Sequence, residues 1–291
     1  MKATPVVPGP LRYHTVRLFL KVLVSAYVRT SIHGVERLPS GGPYIICFNH
    51  PSWLDPVVLA AHWPDRDRQL FIFGPREQDM GTGLRNHVIT WTRRGVPFKP
   101  AAADVIGVTR RAVAVLKTGG CLAIAGEGRL SDHEGQILPL ETGLAHFSRM
   151  SKAPIVPTAV IGTRWVHFGS RVDVRIGEPV HPDDFARDKA GAREMTDVVQ
   201  ERLEALLVGV EDREPPGWFG RTLSEAFNDR PWLLEGVEAD AAVAPVDAAV
   251  APVDAAVAPV DAAVAPSAHD KGAAPVGTAA APSAHDKAGH A

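Results

Sequence analysis

Cysteine is nearly missing from this chain. Cys47 and Cys121 are the only two in 291 residues, and neither belongs to a Cys-x-x-Cys pair. That excludes a disulfide framework and a cysteine-rich zinc site; both lie inside apolar runs and read as buried free thiols. No apolar run extends for the roughly 18 residues that a membrane-spanning helix needs. The N-terminus lacks the order of charged, apolar and small residues that marks a secretory signal. No Gly-x-Ser-x-Gly elbow occurs, which counts against a serine hydrolase. His269, His285 and His290 are too sparse for a metal site, and the sequence calls for no cofactor.

Net charge is also scarce, at −2, but it is unevenly placed. The first hundred residues hold 13 Lys/Arg against 6 Asp/Glu, about +7, whereas residues 237–291 hold seven acids and two lysines, about −5. A basic N-terminal part suits an anionic partner such as a phosphate group or an anionic membrane surface. No nucleic-acid motif accompanies it, so nucleic acid is not an expected partner.

Residues 11–31 read as a helix. Arg17, Lys21, Ser25 and Arg29 recur every four residues as a narrow, mostly basic stripe, and most of the other positions are apolar. Such a helix either packs into the domain or lies in a membrane interface. Strand and helix patterns then alternate: strands at 43–48, 69–74, 96–98, 121–125, 155–161 and 171–176, with the last read as a half-exposed edge. Helices are expected at 56–63, 80–91, 104–118, 142–151 and 193–208. That alternation predicts a single α/β domain with a central, mostly parallel sheet flanked by helices. From Glu238 the chain turns to "AAVAPVD" and "APSAHDK" repeats, in which a proline in every repeat breaks helices and little can be buried. Four segments are therefore expected: an amphipathic, membrane-associated helix at 1–31, the α/β domain at 32–210, an extension at 211–237, and a disordered tail at 238–291.

Four motifs could carry chemistry. "IICFNHPSWLDP" ends an apolar strand in Asn49-His50, with Asp55 five residues beyond His50. A histidine just past a strand's C-terminal end lies where open α/β sheets place their ligands, and a carboxylate there can orient it as a general base. Asp55 could equally cap the helix that follows. "TRRGVPFKP" gathers Arg93, Arg94 and Lys99 around a turn, a phosphate subsite or an ordinary basic loop. "AIAGEGRLS" opens a buried strand into Gly126-Glu127-Gly128-Arg129, where glycines permit close approach and an arginine can clamp a phosphate. Pro157, inside the strand "APIVPTAVIG", marks an edge, a bulge or a mouth-lining position.

In their order and spacing these motifs resemble the lysophosphatidate acyltransferase family of glycerolipid acyltransferases. Its N-H-x4-D falls on Asn49–Asp55, its Gly-x-x-aromatic motif on Gly95, Phe98 and Lys99, its E-G motif on Glu127, Gly128 and Arg129, and its proline-bearing strand on Ile155–Thr158. Two departures stand out. The family's F-P-E-G-T-R-S is here Ala125-Gly126-Glu127-Gly128-Arg129-Leu130-Ser131, and Lys99 stands where arginine is common. The resemblance implies acyl transfer from acyl-CoA or an acyl carrier protein to a lysophospholipid hydroxyl. His50 and Asp55 would be catalytic. Asn49, Arg94, Gly95, Phe98, Lys99, Glu127, Gly128, Arg129 and Pro157 would bind substrate. No metal is implied. A peripheral position on the cytoplasmic face of a membrane follows from the lipid substrate. Another lysolipid acceptor, or water in a thioesterase, is the alternative.

Overall fold

A computed structural model describes residues 11–76, 83–98, 105–212 and 217–228. All of them fall within one unit, Met1–Val250. The repeat segment 238–291 lies outside the described residues.

Seven strands form one sheet in the order β1-β7-β6-β2-β5-β3-β4. They are β1 (Arg29–His33), β2 (Tyr44–Phe48), β3 (Leu70–Arg76), β4 (Gly95–Phe98), β5 (Cys121–Ala125), β6 (Ile155–Ile161) and β7 (Arg171–Ile176). Every pairing is parallel except β6 with β7. The helices are α1 (Leu11–Tyr27), α2 (Leu54–His62), α3 (Gly83–Thr92), α4 (Val105–Lys117), α5 (Gly143–Ser151), α6 (Lys189–Leu207) and α7 (Gly217–Asn228).

Strand alternation sorts side chains to two cores. Ile45 and Cys47 join Leu122, Ile124, Ile155 and Ala159 against α4, α5 and α6. Tyr44, Ile46 and Phe48 join Ala123, Val156 and Val160 against α1 and α2. Strands buried on both faces read as continuous apolar runs, which is why β2, β5 and β6 stand out in the sequence. Both cysteines are free and buried, and burial pushes their thiols up, so they are inert packing residues.

Two expectations are corrected. The first helix ends at Tyr27 rather than 31, because Arg29–His33 alternates as a strand and pairs in parallel with β7. β7 is consequently not at the edge: β1 covers it. Its alternating burial arises because Val172, Val174 and Ile176 face one core while the opposite face stays partly open.

Pro157 lies in an interior strand, opposite Cys47. The β6–β7 ladder steps from Thr158↔Ile176 to an isolated bridge at Ile155↔Val180, so one extra residue is accommodated beside Pro157. Gly177 N donates to the Pro157 carbonyl at 2.8 Å. The missing proline donor thus falls at a bulge, where no ladder bond is lost.

Candidate active site

The C-terminal ends of β2, β3, β4, β5 and β6 share one edge of the sheet, and the residues just past β2, β5 and β6 build the site. Beyond Phe48 the backbone of β2 leaves the sheet, and the Asn49 side chain replaces it in the pairing. Its Nδ2 donates to the Val160 carbonyl (3.1 Å) and its Oδ1 accepts from Val160 N (2.7 Å), fully buried. One primary amide thereby supplies the donor and the acceptor of a strand residue, and it aims His50 outward from the sheet edge.

His50 is 6% exposed. Its ring meets Phe48 and Trp53 edge-on, with centroids 5.7 and 5.0 Å away. Its Nδ1 lies 3.0 Å from Asp55 Oδ2. Asp55 is wholly buried and sits in the first turn of α2, yet it does not cap that helix in the usual sense. Oδ2 also accepts from Ser52 N (3.0 Å), and Oδ1 accepts from the Thr163 hydroxyl. Burial pushes the Asp55 carboxyl up, while the hydrogen bonds from His50, Thr163 and Ser52 act in the opposite direction and favour the carboxylate. A carboxylate on Nδ1 fixes the tautomer and leaves Nε2 as the basic nitrogen. Among the described residues nothing hydrogen-bonds that Nε2.

The backbone of His50 is gripped by the segment after β5. Glu127 Oε1 accepts from His50 N at 2.9 Å, Glu127 Oε2 accepts from Leu138 N at 2.9 Å, and Ser131 N donates to the His50 carbonyl at 2.8 Å. Glu127 is therefore a clamp on the histidine's main chain. Burial pushes its carboxyl up and the two N–H donors draw it back. Gly126 must be glycine for packing: a Cβ there would stand 2.6 Å from Cys47 Sγ and 2.7 Å from Leu140 Cδ2. The position where proline is usual in the resembled motif is thus filled from below by core side chains. Gly128 turns the chain at φ +68°, leaving Arg129 exposed on the same edge.

This arrangement can be set beside known proteins. The family described as Acyltransferase matches residues 29–161, a span from β1 to the end of β6 that contains the His50/Asp55 pair and the Glu127 clamp. That match covers just under half of the 291 residues. The chain is also 24% identical over 200 residues to a Bacillus subtilis 1-acyl-sn-glycerol-3-phosphate acyltransferase, covering 64% of this chain and 92% of that one. A mouse 1-acyl-sn-glycerol-3-phosphate acyltransferase alpha is 24% identical over 159 residues, covering 52% of this chain and 51% of the relative. In fold it is similar to the Thermotoga maritima 1-acyl-sn-glycerophosphate acyltransferase PlsC, with a TM-score of 0.51, 21% identity, and 68% and 80% of the two chains covered. The two curated relatives and the solved structure are all named as acyltransferases.

Not every residue expected at the site is gathered there. Lys99 lies outside the described residues. Phe98 ends β4 on the site edge and stacks on Phe73 at 5.5 Å, 7° from parallel. Gly95 begins β4 opposite Ile72, in the body of the sheet. Arg94, just before it, is half-buried between two rings, its guanidinium 4.9 Å from the Tyr13 centroid and 4.6 Å from that of Phe71. Register puts Arg94 roughly level with Ile45, five residues below His50, or about 16 Å along the strands at ~3.3 Å per residue. It fastens α1 to β3 and does not converge with His50. Pro157 shapes the sheet below the site.

Four residues around the His50–Asp55 pair were not singled out from the sequence: Ser52, Ser131, Glu134 and Thr163. Only Thr163 carried a signal, because it is the second residue past the end of β6, the same offset that His50 has from the end of β2.

Proposed function

We propose that this acyltransferase moves an acyl group from a thioester, on CoA or an acyl carrier protein, to the hydroxyl of 1-acylglycerol-3-phosphate, giving phosphatidic acid. The observation that carries this reading is the His50–Asp55 pair at the sheet's open edge, with Nδ1 committed to a carboxylate and Nε2 free. Nε2 takes the proton from the acceptor hydroxyl as that oxygen attacks the thioester carbonyl. The tetrahedral intermediate collapses with cleavage of the C–S bond, and the imidazolium returns the proton to the departing thiolate. The substrate supplies the nucleophile, so no acyl-enzyme forms. Arg129, exposed beyond Gly128, serves the acceptor phosphate together with Lys99. The names of the relatives support a glycerol-phosphate acceptor.

The reaction takes place at a membrane surface. No helix among the described residues is long and apolar enough to cross a bilayer. α1 buries Tyr13 and Val24, and two of its polar residues reach α2: Arg17 donates to the Trp63 carbonyl and Ser25 Oγ lies 3.0 Å from His62 Nε2. Leu18, Phe19, Val22 and Leu23 are left outside, each more than half exposed. An exposed apolar strip beside the exposed Lys21 suits a lipid interface.

The test is thiol release from acyl-CoA with and without 1-acylglycerol-3-phosphate. Acceptor-dependent release that falls at least about 10³-fold in His50→Ala supports the reading. Release independent of acceptor makes the enzyme a thioesterase, and no release with any lysolipid overturns the assignment.

A further inference from the structure

The Asp55 carboxylate has two oxygens, and the N-H-x4-D segment accounts for only one. His50 Nδ1 and Ser52 N both meet Oδ2. Oδ1 is met by the hydroxyl of Thr163, which is 108 residues away in sequence and wholly buried. A buried hydroxyl aimed at a buried carboxylate has a specific geometry to maintain, and the surroundings of Thr163 supply it.

Thr163 sits between Gly162 and Arg164 in the turn that leaves β6. Gly162 has φ +87°, and a Cβ on it would run into the Arg171 carbonyl, so the turn cannot relax toward β7. On the other side stands the Glu134 carboxylate, 2% exposed. It accepts from Arg164 N at 2.7 Å, which pins the backbone immediately after Thr163. Glu134 is itself anchored: Asp212 Oδ1 accepts from Glu134 N at 2.8 Å. The Arg164 guanidinium donates to the Ser131 carbonyl at 3.1 Å, and Ser131 N holds the His50 carbonyl. The turn carrying Thr163 and the segment gripping His50 therefore form one hydrogen-bonded unit around the dyad.

We propose that Thr163 is a positioning residue for the acyl-transfer reaction, completing a His50–Asp55–Thr163 triad in which Glu134 holds the Thr163 turn and the hydroxyl keeps the Asp55 carboxylate aimed at His50 Nδ1. This rests on the reading of His50 as the general base. The hydroxyl has two effects. It fixes rotation about the Asp55 side chain, so Oδ2 stays on the histidine. It also stabilises the anion, which lowers the affinity of the coupled pair for a proton, whichever partner carries it.

The experiment compares Thr163→Val, which keeps shape and loses the hydroxyl, and Thr163→Ser, which restores it, with His50→Ala and the unaltered full chain. The readouts are kcat, KM for both substrates, the pH dependence of kcat/KM and the melting temperature. With His50→Ala inactive, Thr163→Val lowers kcat about tenfold with both KM values within about twofold. The acidic limb of its kcat/KM profile moves to higher pH, since the Asp55 anion has lost a hydrogen bond that stabilised it. Thr163→Ser returns both quantities toward those of the unaltered enzyme. Three results overturn the proposal: an unchanged kcat and pH profile in Thr163→Val, a loss explained entirely by a smaller folded fraction, or Thr163→Ser behaving like the valine variant. Activity surviving in His50→Ala refutes the general base and the triad with it.

Discussion

Glu127→Gln puts the clamp on His50 to a direct test. The carboxylate has two acceptor oxygens, and both are used, one on His50 N and one on Leu138 N, each at 2.9 Å. Glutamine is nearly the same size but has one acceptor and one NH2. Whichever way the amide settles, one backbone N–H faces a donor in a residue only 4% exposed. An unpaired buried N–H costs about 1–3 kcal/mol. Part of that is regained, because burial already makes the Glu127 charge unfavourable. A net loss of about 2 kcal/mol lowers the melting temperature by about 4–8 °C for a domain of this size. The same substitution loosens the histidine main chain, so kcat falls about 10- to 100-fold. The KM for the lysolipid stays within about twofold, because the side chain points at the protein and not at the acceptor. Urea denaturation and steady-state kinetics on one preparation supply all three quantities. A variant with unaltered stability and a raised acceptor KM would mean that Glu127 binds substrate, and the clamp would be wrong.

Other perturbations separate the remaining roles. Asp55→Asn keeps the packing but presents an amide to His50, and kcat drops by about 10³–10⁴ in steady-state assays with little change in folding. Asn49→Ala strips both partners from Val160 inside the sheet, so urea denaturation shows a loss of about 2–4 kcal/mol. Burial pushes the Glu134 carboxyl from its ordinary 4.5 up to about 7. Across that window the folded protein holds a proton that the unfolded chain has released. Stability therefore falls as pH rises between the two values, by about 3 kcal/mol in all, and levels off above. Denaturation at several pH values shows that slope, and Glu134→Gln removes it. Replacing Leu18 and Phe19 by glutamate abolishes sedimentation with anionic vesicles while acyl transfer to a dispersed short-chain acceptor persists; unchanged sedimentation would remove α1 from the interface.

The parts of this molecule that were legible beforehand share a local cause. Cys121–Ala125 is bounded by Gly119-Gly120 and Gly126, and its strand begins and ends where that punctuation predicts. His50 and Asp55 could be paired because only four residues of turn and helix start separate them. β1 was hidden because Arg29–His33 is mostly polar and abuts an apolar helix; only β7, contributed from residue 171 onward, makes it a strand. Glu127 looked like a substrate ligand because its partners are main-chain donors, which no residue pattern encodes. The same holds for Thr163 and Glu134, whose contacts join loops brought together by the sheet. Arg94 was misplaced for a related reason: charge suggested a phosphate, whereas Tyr13 and Phe71 provide aromatic faces on either side of it.

α2 connects two things that are not neighbours in function. At its first turn Asp55 orients the histidine, and at its far end His62 and the Trp63 carbonyl hold α1. Seven residues separate Asp55 from His62, about 10 Å of helix at ~1.5 Å per residue. On the proposed interfacial placement of α1, the length of α2 would help set the distance between the lipid surface and the reacting atom. One further turn would lengthen that helix by about 5 Å. The reach required of a lysolipid acceptor would then depend on the residue count of a helix that need never touch it.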